Sequence, residues 1–194
     1  MQKPGLCAAR AGQLLNMNAL ANECGISQPT AKSWISALEN SYIVFTLQPF
    51  HENFSKRLIK TPKLYFYDTG LLCYLLKISS ADQILSHPIK GTLFENMMIS
   101  EFVKRMHHKN ELQDIWFWRD STGHEVDLIV QDGLALNLTE FKSTQTIMSD
   151  LFKGLQYFKQ HSGMTNLKKT LVYTGSDFQK RTDADVVPWM EFGV

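Results

Sequence analysis

Two acids and a lysine stand where a β-hairpin would gather them. Asp127 lies in Glu125-Val-Asp-Leu-Ile-Val130, and Glu140-Phe-Lys142 ends the next stretch of strand-like composition. Between them, Gln131-Asp-Gly133 has tight-turn chemistry, because Asp-Gly tolerates the positive φ angles such turns need. The hairpin brings the start of one strand to the end of the other, and the period of two in Glu-x-Lys puts both side chains on one face. Two converging carboxylates repel unless a cation lies between them, and hard oxygen ligands suit Mg²⁺ or Mn²⁺. A lysine beside them can orient or help deprotonate a water while the metal stabilises charge on a phosphate oxygen. The matching chemistry is metal-assisted phosphodiester hydrolysis, with Glu95, early in the preceding helical segment, as a third acid able to reach the same strand ends. The alternative keeps Asp127 and Glu140 as exposed polar positions with Lys142 as their ion-pair partner, and Glu95 as a solvated helix carboxylate. The spacing is loose and leaves both readings open.

Other chemistry is weaker. His107 and His108 fall at a helix end, where a helix-dipole contact explains them better than a metal. His124 lies near Asp127 in sequence but fits a turn. Trp116 and Trp118 flank Phe117 in a pattern that suits a sheet buried on both faces better than a base-stacking platform. No Ser-His-Asp or Cys-His arrangement is evident, and no G-x-x-x-x-G-K-[S/T] phosphate loop occurs, so ATP binding by that route is not expected. Cys7, Cys24 and Cys73 form no C-x-x-C pair, which points away from disulfides and thiolate zinc and toward a reducing cytoplasm.

The 194 residues carry 20 Lys+Arg against 19 Asp+Glu and are 44% hydrophobic, the profile of a folded chain with one large or two small domains. No apolar run approaches a membrane span. The net charge of +1 hides an asymmetry: residues 1–90 hold 9 basic and 5 acidic side chains, and residues 91–194 hold 11 and 14. Lys56, Arg57, Lys60 and Lys63 crowd one stretch with no acid between Asn53 and Tyr67, which reads as a basic patch or as a solvated loop.

Local signals supply the frame for these residues. Asn18 to Gly25 has helical spacing and ends on a capping glycine, and Ser27 is an N-cap candidate with Pro29 in the first turn of a second helix reaching Asn40. Tyr42–Leu47 and Leu64–Tyr67 read as strands, so a helix-turn-helix followed by a hairpin gives a winged helix, with the basic stretch in the wing. Asp68-Thr69-Gly70 can cap a short helix, Leu71 to Leu76. The polar residues 80–90 show no period and mark a linker between a winged-helix domain at 1–79 and a second domain at 91–194. That second part reads as a helix (Leu93–His107), strands at Ile115–Trp118, Glu125–Val130 and Leu134–Phe141, a helix (Met148–His161), a strand at Thr170–Tyr173 and a short strand at Val186-Val187. Its order is α-β-β-β-α-β, and the class is mixed, α+β.

Several stretches resemble the C-terminal half of a large bacterial and archaeal family of predicted AAA-type ATPases, in which the ATPase precedes a domain of unknown function. They include Ala8–Asn16, Gly25-Ile-Ser27, Lys56-Arg-Leu58 with Lys60-Thr-Pro-Lys63, Tyr67–Leu71, Gly91–Asn96, Phe117–Asp120, Gly123–Asp127 and Glu140–Ser143. The resemblance implies a winged helix followed by a restriction-endonuclease-like domain. In similar nucleases a helix acid, a strand acid and Glu-x-Lys act together, which here match Glu95, Asp127, Glu140 and Lys142. It further implies an ATPase partner, with this chain a truncated, split or excised part of a longer pattern. The expectation is a DNA-binding, Mg²⁺- or Mn²⁺-dependent nuclease module, or else a non-catalytic DNA-binding or partner-docking module of an ATPase. The helix from Pro29 to Glu39, with Lys32, would enter the major groove of duplex DNA while Lys56, Arg57, Lys60 and Lys63 contact phosphates.

Overall fold

The computed structural model describes residues 3–51, 59–111 and 114–192 and is a mixed α/β structure. Two compact units emerge, one from residues 1–47 and 61–104, the other from 48–60 and 105–194. Among the described residues, no helix is long and apolar enough to cross a membrane.

The first unit begins with α1 (Lys3–Ala8), α2 (Met17–Cys24) and α3 (Gln28–Asn40). Asn16 Oδ1 accepts from Ala19 N at 3.0 Å, Ser27 Oγ accepts from Thr30 N at 3.3 Å, and Gly25 closes α2 in the left-handed region, so the helix–turn–helix is set by its caps. Strands β1 (Val44–Leu47) and β2 (Lys63–Phe66) pair antiparallel with Phe45 opposite Tyr65. Asp68 then caps α4 (Thr69–Leu75) by accepting from Leu71 N at 2.7 Å. Leu20, Ile35, Val44, Leu64, Phe66 and Leu72 form the core of this unit.

Two features differ from the sequence expectation. Residues 80–90 are not a linker, because α5 (Ala81–Ser86) occupies them and α6 (Lys90–Lys109) starts at their end. Ser80 Oγ accepts from Gln83 N while Gln83 Oε1 accepts from Ser79 N at 2.7 Å, a reciprocal cap on a helix too short to show a period. The second difference concerns the connection between β1 and β2, whose described parts do not form a wing of the first unit. They belong to the second unit, where Phe50 N donates to Phe117 O at 2.7 Å and Ile59 N donates to Arg119 O at 3.2 Å. Phe50 is buried there, 5.3 Å from the Trp116 ring, and that burial holds the connection.

In the second unit, β3 (Ile115–Arg119), β4 (Glu125–Asp132) and β5 (Ala135–Lys142) are antiparallel neighbours. A 3₁₀ turn (Ser149–Phe152) leads into α7 (Lys153–Ser162), which crosses to β6 (Leu167–Tyr173), parallel to β5. β7 (Gln179–Lys180) and β8 (Asp185–Pro188) complete a sheet of order β3-β4-β5-β6-β8-β7, with β8 parallel to β6. Phe117 and Trp118 point to opposite faces of β3 and are both buried, so that strand is covered on both sides. Trp118, Leu138, Leu155, Phe158 and Leu171 form a core under α7.

Candidate active site

The register places the beginning of β4 beside the end of β5, with Leu128 opposite Thr139. Asp127 and Glu140 therefore meet, and both are buried, at 6% and 4% exposure. Asp127 Oδ2 accepts from Phe141 N at 2.9 Å, which fixes the carboxylate against the neighbouring strand. Lys142 Nζ donates to Glu140 Oε2 at 2.6 Å and lies 3.9 Å from Asp127 Oδ2. The exposure expected for these acids under the bland reading is absent. Burial first, and then the Asp127 carboxylate, hold the Glu140 carboxyl well above the ordinary range, against the pull of Lys142. Among the described residues, two acids face one ammonium here, a balance that favours a proton or another cation. The lysine side chain is a third exposed, so the cluster opens to solvent on its side.

Gly154 of α7, to which no role was assigned from sequence, seals the cluster. A Cβ there would stand 1.9 Å from Glu125 O and 2.4 Å from Glu140 Oε1, so the helix reaches the acids only because position 154 carries no side chain. The signal was present: a lone glycine inside a helical pattern weakens the helix and implies close packing. His124 occupies the expected turn. Asp120 accepts from His124 N at 2.9 Å, Thr122 N at 2.9 Å and Thr122 Oγ1 at 2.7 Å. Burial raises the Asp120 carboxyl, yet these hydrogen bonds outweigh it and leave the group below its ordinary value. The His124 ring stacks on Tyr157 of α7 with centroids 3.6 Å apart, tying this turn to the same helix.

Glu95 is placed differently. It belongs to the first unit, where its Oε1 accepts from Lys63 Nζ at 2.8 Å and from Tyr65 Oη at 2.6 Å. Its neighbour Asn96 accepts from Phe66 N at 2.8 Å and donates to Phe66 O at 3.0 Å, so the start of α6 clasps β2. Among the described residues no group of three or more His, Cys, Asp or Glu is gathered to hold a metal; Asp127 and Glu140 meet within the second unit, and Glu95 belongs to the first. Lys63, expected on a phosphate, is 2% exposed and committed to Glu95, because all four residues of β2 are buried. Lys32 and Lys60 are exposed, and Lys56 and Arg57 lie outside the described residues.

Residues 90–192 match the model of a family described as a domain of unknown function (DUF4143), and residues 5–82 match a second, a domain of unknown function (DUF8612). The uncharacterized protein Rv2008c of Mycobacterium tuberculosis and the uncharacterized protein Mb2031c of Mycobacterium bovis are each 30% identical over 120 residues, 62% of this chain. The chain spans about a quarter (26%) of the length of these curated relatives.

Proposed function

We propose, from the premise that this chain belongs to the family of the domain of unknown function DUF4143, that its second unit is a Mg²⁺- or Mn²⁺-assisted phosphodiesterase module acting on DNA. The core would be restriction-endonuclease-like and the first unit a winged-helix grip on duplex DNA, the whole working with an AAA-type ATPase. The observation that carries the reading is the burial of Asp127 and Glu140 together beside Lys142 at the end of β5. Within the second unit the order β3, β4, β5, α7, β6, with a parallel strand after three antiparallel ones, supports the architecture.

The donor set fits the cation. Mg²⁺ is commonly held by one or two carboxylates, with water and substrate phosphate oxygens filling the remaining positions. Asp127 and Glu140 supply those two carboxylates; burial first and then Asp127 raise Glu140, and a divalent charge relieves the second of these. When bound, the cation would supply Lewis-acid stabilisation of charge on a phosphate oxygen. Lys142 orients the attacking water, with its ammonium held by Glu140 and its side chain a third exposed. Exposed Lys32 and Lys60 provide phosphate contacts; Lys63 does not.

A second reading, a non-catalytic DNA-binding or partner-docking module, draws on the absence of a third metal-ligating residue among the described ones. Calorimetry with Mg²⁺, Mn²⁺ and EDTA, run alongside nicking of supercoiled plasmid, separates the two. The wild-type melting temperature should rise with metal, since the folded state gathers the ligands and the unfolded state does not. Asp127→Ala should abolish both the shift and the nicking, while Lys142→Ala keeps the shift and loses the nicking. A wild type that neither shifts nor nicks leaves the second reading.

A further inference from the structure

The row of residues that ends the parallel strands runs Lys142, Tyr173, Pro188, each opposite the next in register. Adjacent strands lie about 4.8 Å apart, so the lysine stands one strand from whatever Tyr173 borders. Tyr173 borders a cavity of about 460 Å³, whose lining includes Asp177, Gln179 and Trp189. That size falls within the roughly 300–1,000 Å³ of small-molecule sites. Openings beyond the carboxyl ends of parallel strands are a favoured place for ligands.

The loop that carries the polar groups is shaped in advance. Tyr173 Oη donates to Asp177 O at 2.8 Å and accepts from Asp177 N at 3.0 Å, pinning the loop on both sides of one residue. A Cβ on Gly175 would stand 2.2 Å from Tyr173 Cε2, so the loop folds over the ring only with glycine there. Arg181 donates through Nε and Nη2 to Gln179 Oε1 at 3.0 and 2.5 Å, which takes up the amide oxygen and leaves the NH₂ group as the donor. The lining thus combines an exposed carboxylate on a pinned backbone, whose Oδ1 accepts from Ser176 Oγ at 3.3 Å, an amide whose oxygen is engaged, and a half-buried indole.

We propose that this cavity binds an unpaired guanine of the polynucleotide that lies across Lys142. Guanine alone among the common bases carries two adjacent N–H donors, N1 and N2, beside an acceptor, O6. One carboxylate takes both donors, an amide NH₂ serves O6, and an indole face offers stacking. A carboxylate repels a phosphate, so the base enters and the backbone stays outside, toward the lysine. Such a base must leave its duplex stack, or come from a single strand. The inference rests on the nuclease reading for one point only, that the substrate is a polynucleotide.

The test uses the whole chain, with EDTA and without DNA, titrated with guanosine, inosine, adenosine, cytidine and thymidine and followed by NMR at the Trp189 indole and the Gln179 side-chain amide. Guanosine should bind roughly tenfold or more tighter than inosine, which lacks the N2 donor to a charged acceptor. Asp177→Asn should level the series, and if that variant fails to fold, the guanosine–inosine ratio on the wild type decides alone. Absence of shifts, or equal shifts for all five nucleosides, overturns the pocket. Metal-dependent nicking without guanosine selectivity removes this inference and leaves the nuclease. Guanosine selectivity without nicking keeps the pocket and removes the nuclease.

Discussion

Glu95 with Lys63 in the first unit and Glu140 with Lys142 in the second are chemically the same pair, at 2.8 and 2.6 Å. Their surroundings differ. Lys63 is almost wholly enclosed, with its side chain 3% exposed, and a phenol donates to the same carboxylate oxygen, so the pair fastens α6 to β2. Around Glu140 a second carboxylate enters where the first unit has a phenol, and the lysine is a third exposed. One arrangement sets an ammonium and a phenol on a single carboxylate and is nearly closed to water. The other keeps a surplus negative charge next to a lysine that solvent and substrate can reach. That difference separates a structural ion pair from a candidate site, and residue type alone does not reveal it.

The largest expected effect tests the structural side. Glu95→Ala strips Lys63 of this carboxylate in a site that water hardly reaches, and removing one partner of a buried pair costs about 3–5 kcal/mol. Urea denaturation should show the loss, and the metal-induced rise in melting temperature should persist. Asp127→Ala, by contrast, relieves a like-charge contact while taking the acceptor from Phe141 N, and in EDTA should cost less, about 1–3 kcal/mol. If Glu95→Ala leaves the midpoint unchanged, or abolishes the metal response, the contrast between the pairs collapses.

A middle-sized effect concerns the lid over the second pair. Alanine at an exposed helical position normally gains about 1 kcal/mol over glycine. Gly154→Ala should reverse that sign and cost about 1–3 kcal/mol, because its Cβ runs into Glu125 O and Glu140 Oε1. Nicking should fall further than stability, since the displaced group is the acid itself. A more stable, fully active variant would show that α7 does not press on the cluster.

Much of this was legible from the chain. The caps at Asn16, Ser27 and Asp68 and the Asp-Gly hairpin act within a few residues, and those elements sit where local chemistry puts them. Asp127, Glu140 and Lys142 were gathered by the hairpin register alone. What failed was long-range. Lys63 and Glu95 are 32 residues apart, and β2 is buried at every position, so no alternation marked Lys63 as an inward residue. The passage of residues 48–51 into the second unit goes with Phe50 meeting Trp116, which no local pattern announces. α5 was missed because one and a half turns are too few for a period.

The smallest effect is the most direct reading of the surplus charge. Burial, and then Asp127, hold the Glu140 carboxyl up, so the folded chain keeps a proton at pH values where the unfolded chain has lost it. Above the ordinary glutamate value of 4.5 the folded state therefore binds more protons than the unfolded state, and stability falls as pH rises toward the folded-state value. Hydrogen exchange of β4 and β5 amides, measured in EDTA, should show protection declining along that range. Glu140→Gln removes the titrating group but still accepts from Lys142, so it should flatten the slope and raise protection at neutral pH while losing the metal response. The same change at Glu95 should weaken the first unit, because there the carboxylate accepts from both Lys63 and Tyr65. A slope of opposite sign in the wild type would mean that Lys142 outweighs burial at Glu140. The two pairs would then be alike, and the case for a cation at the second would be lost with the difference.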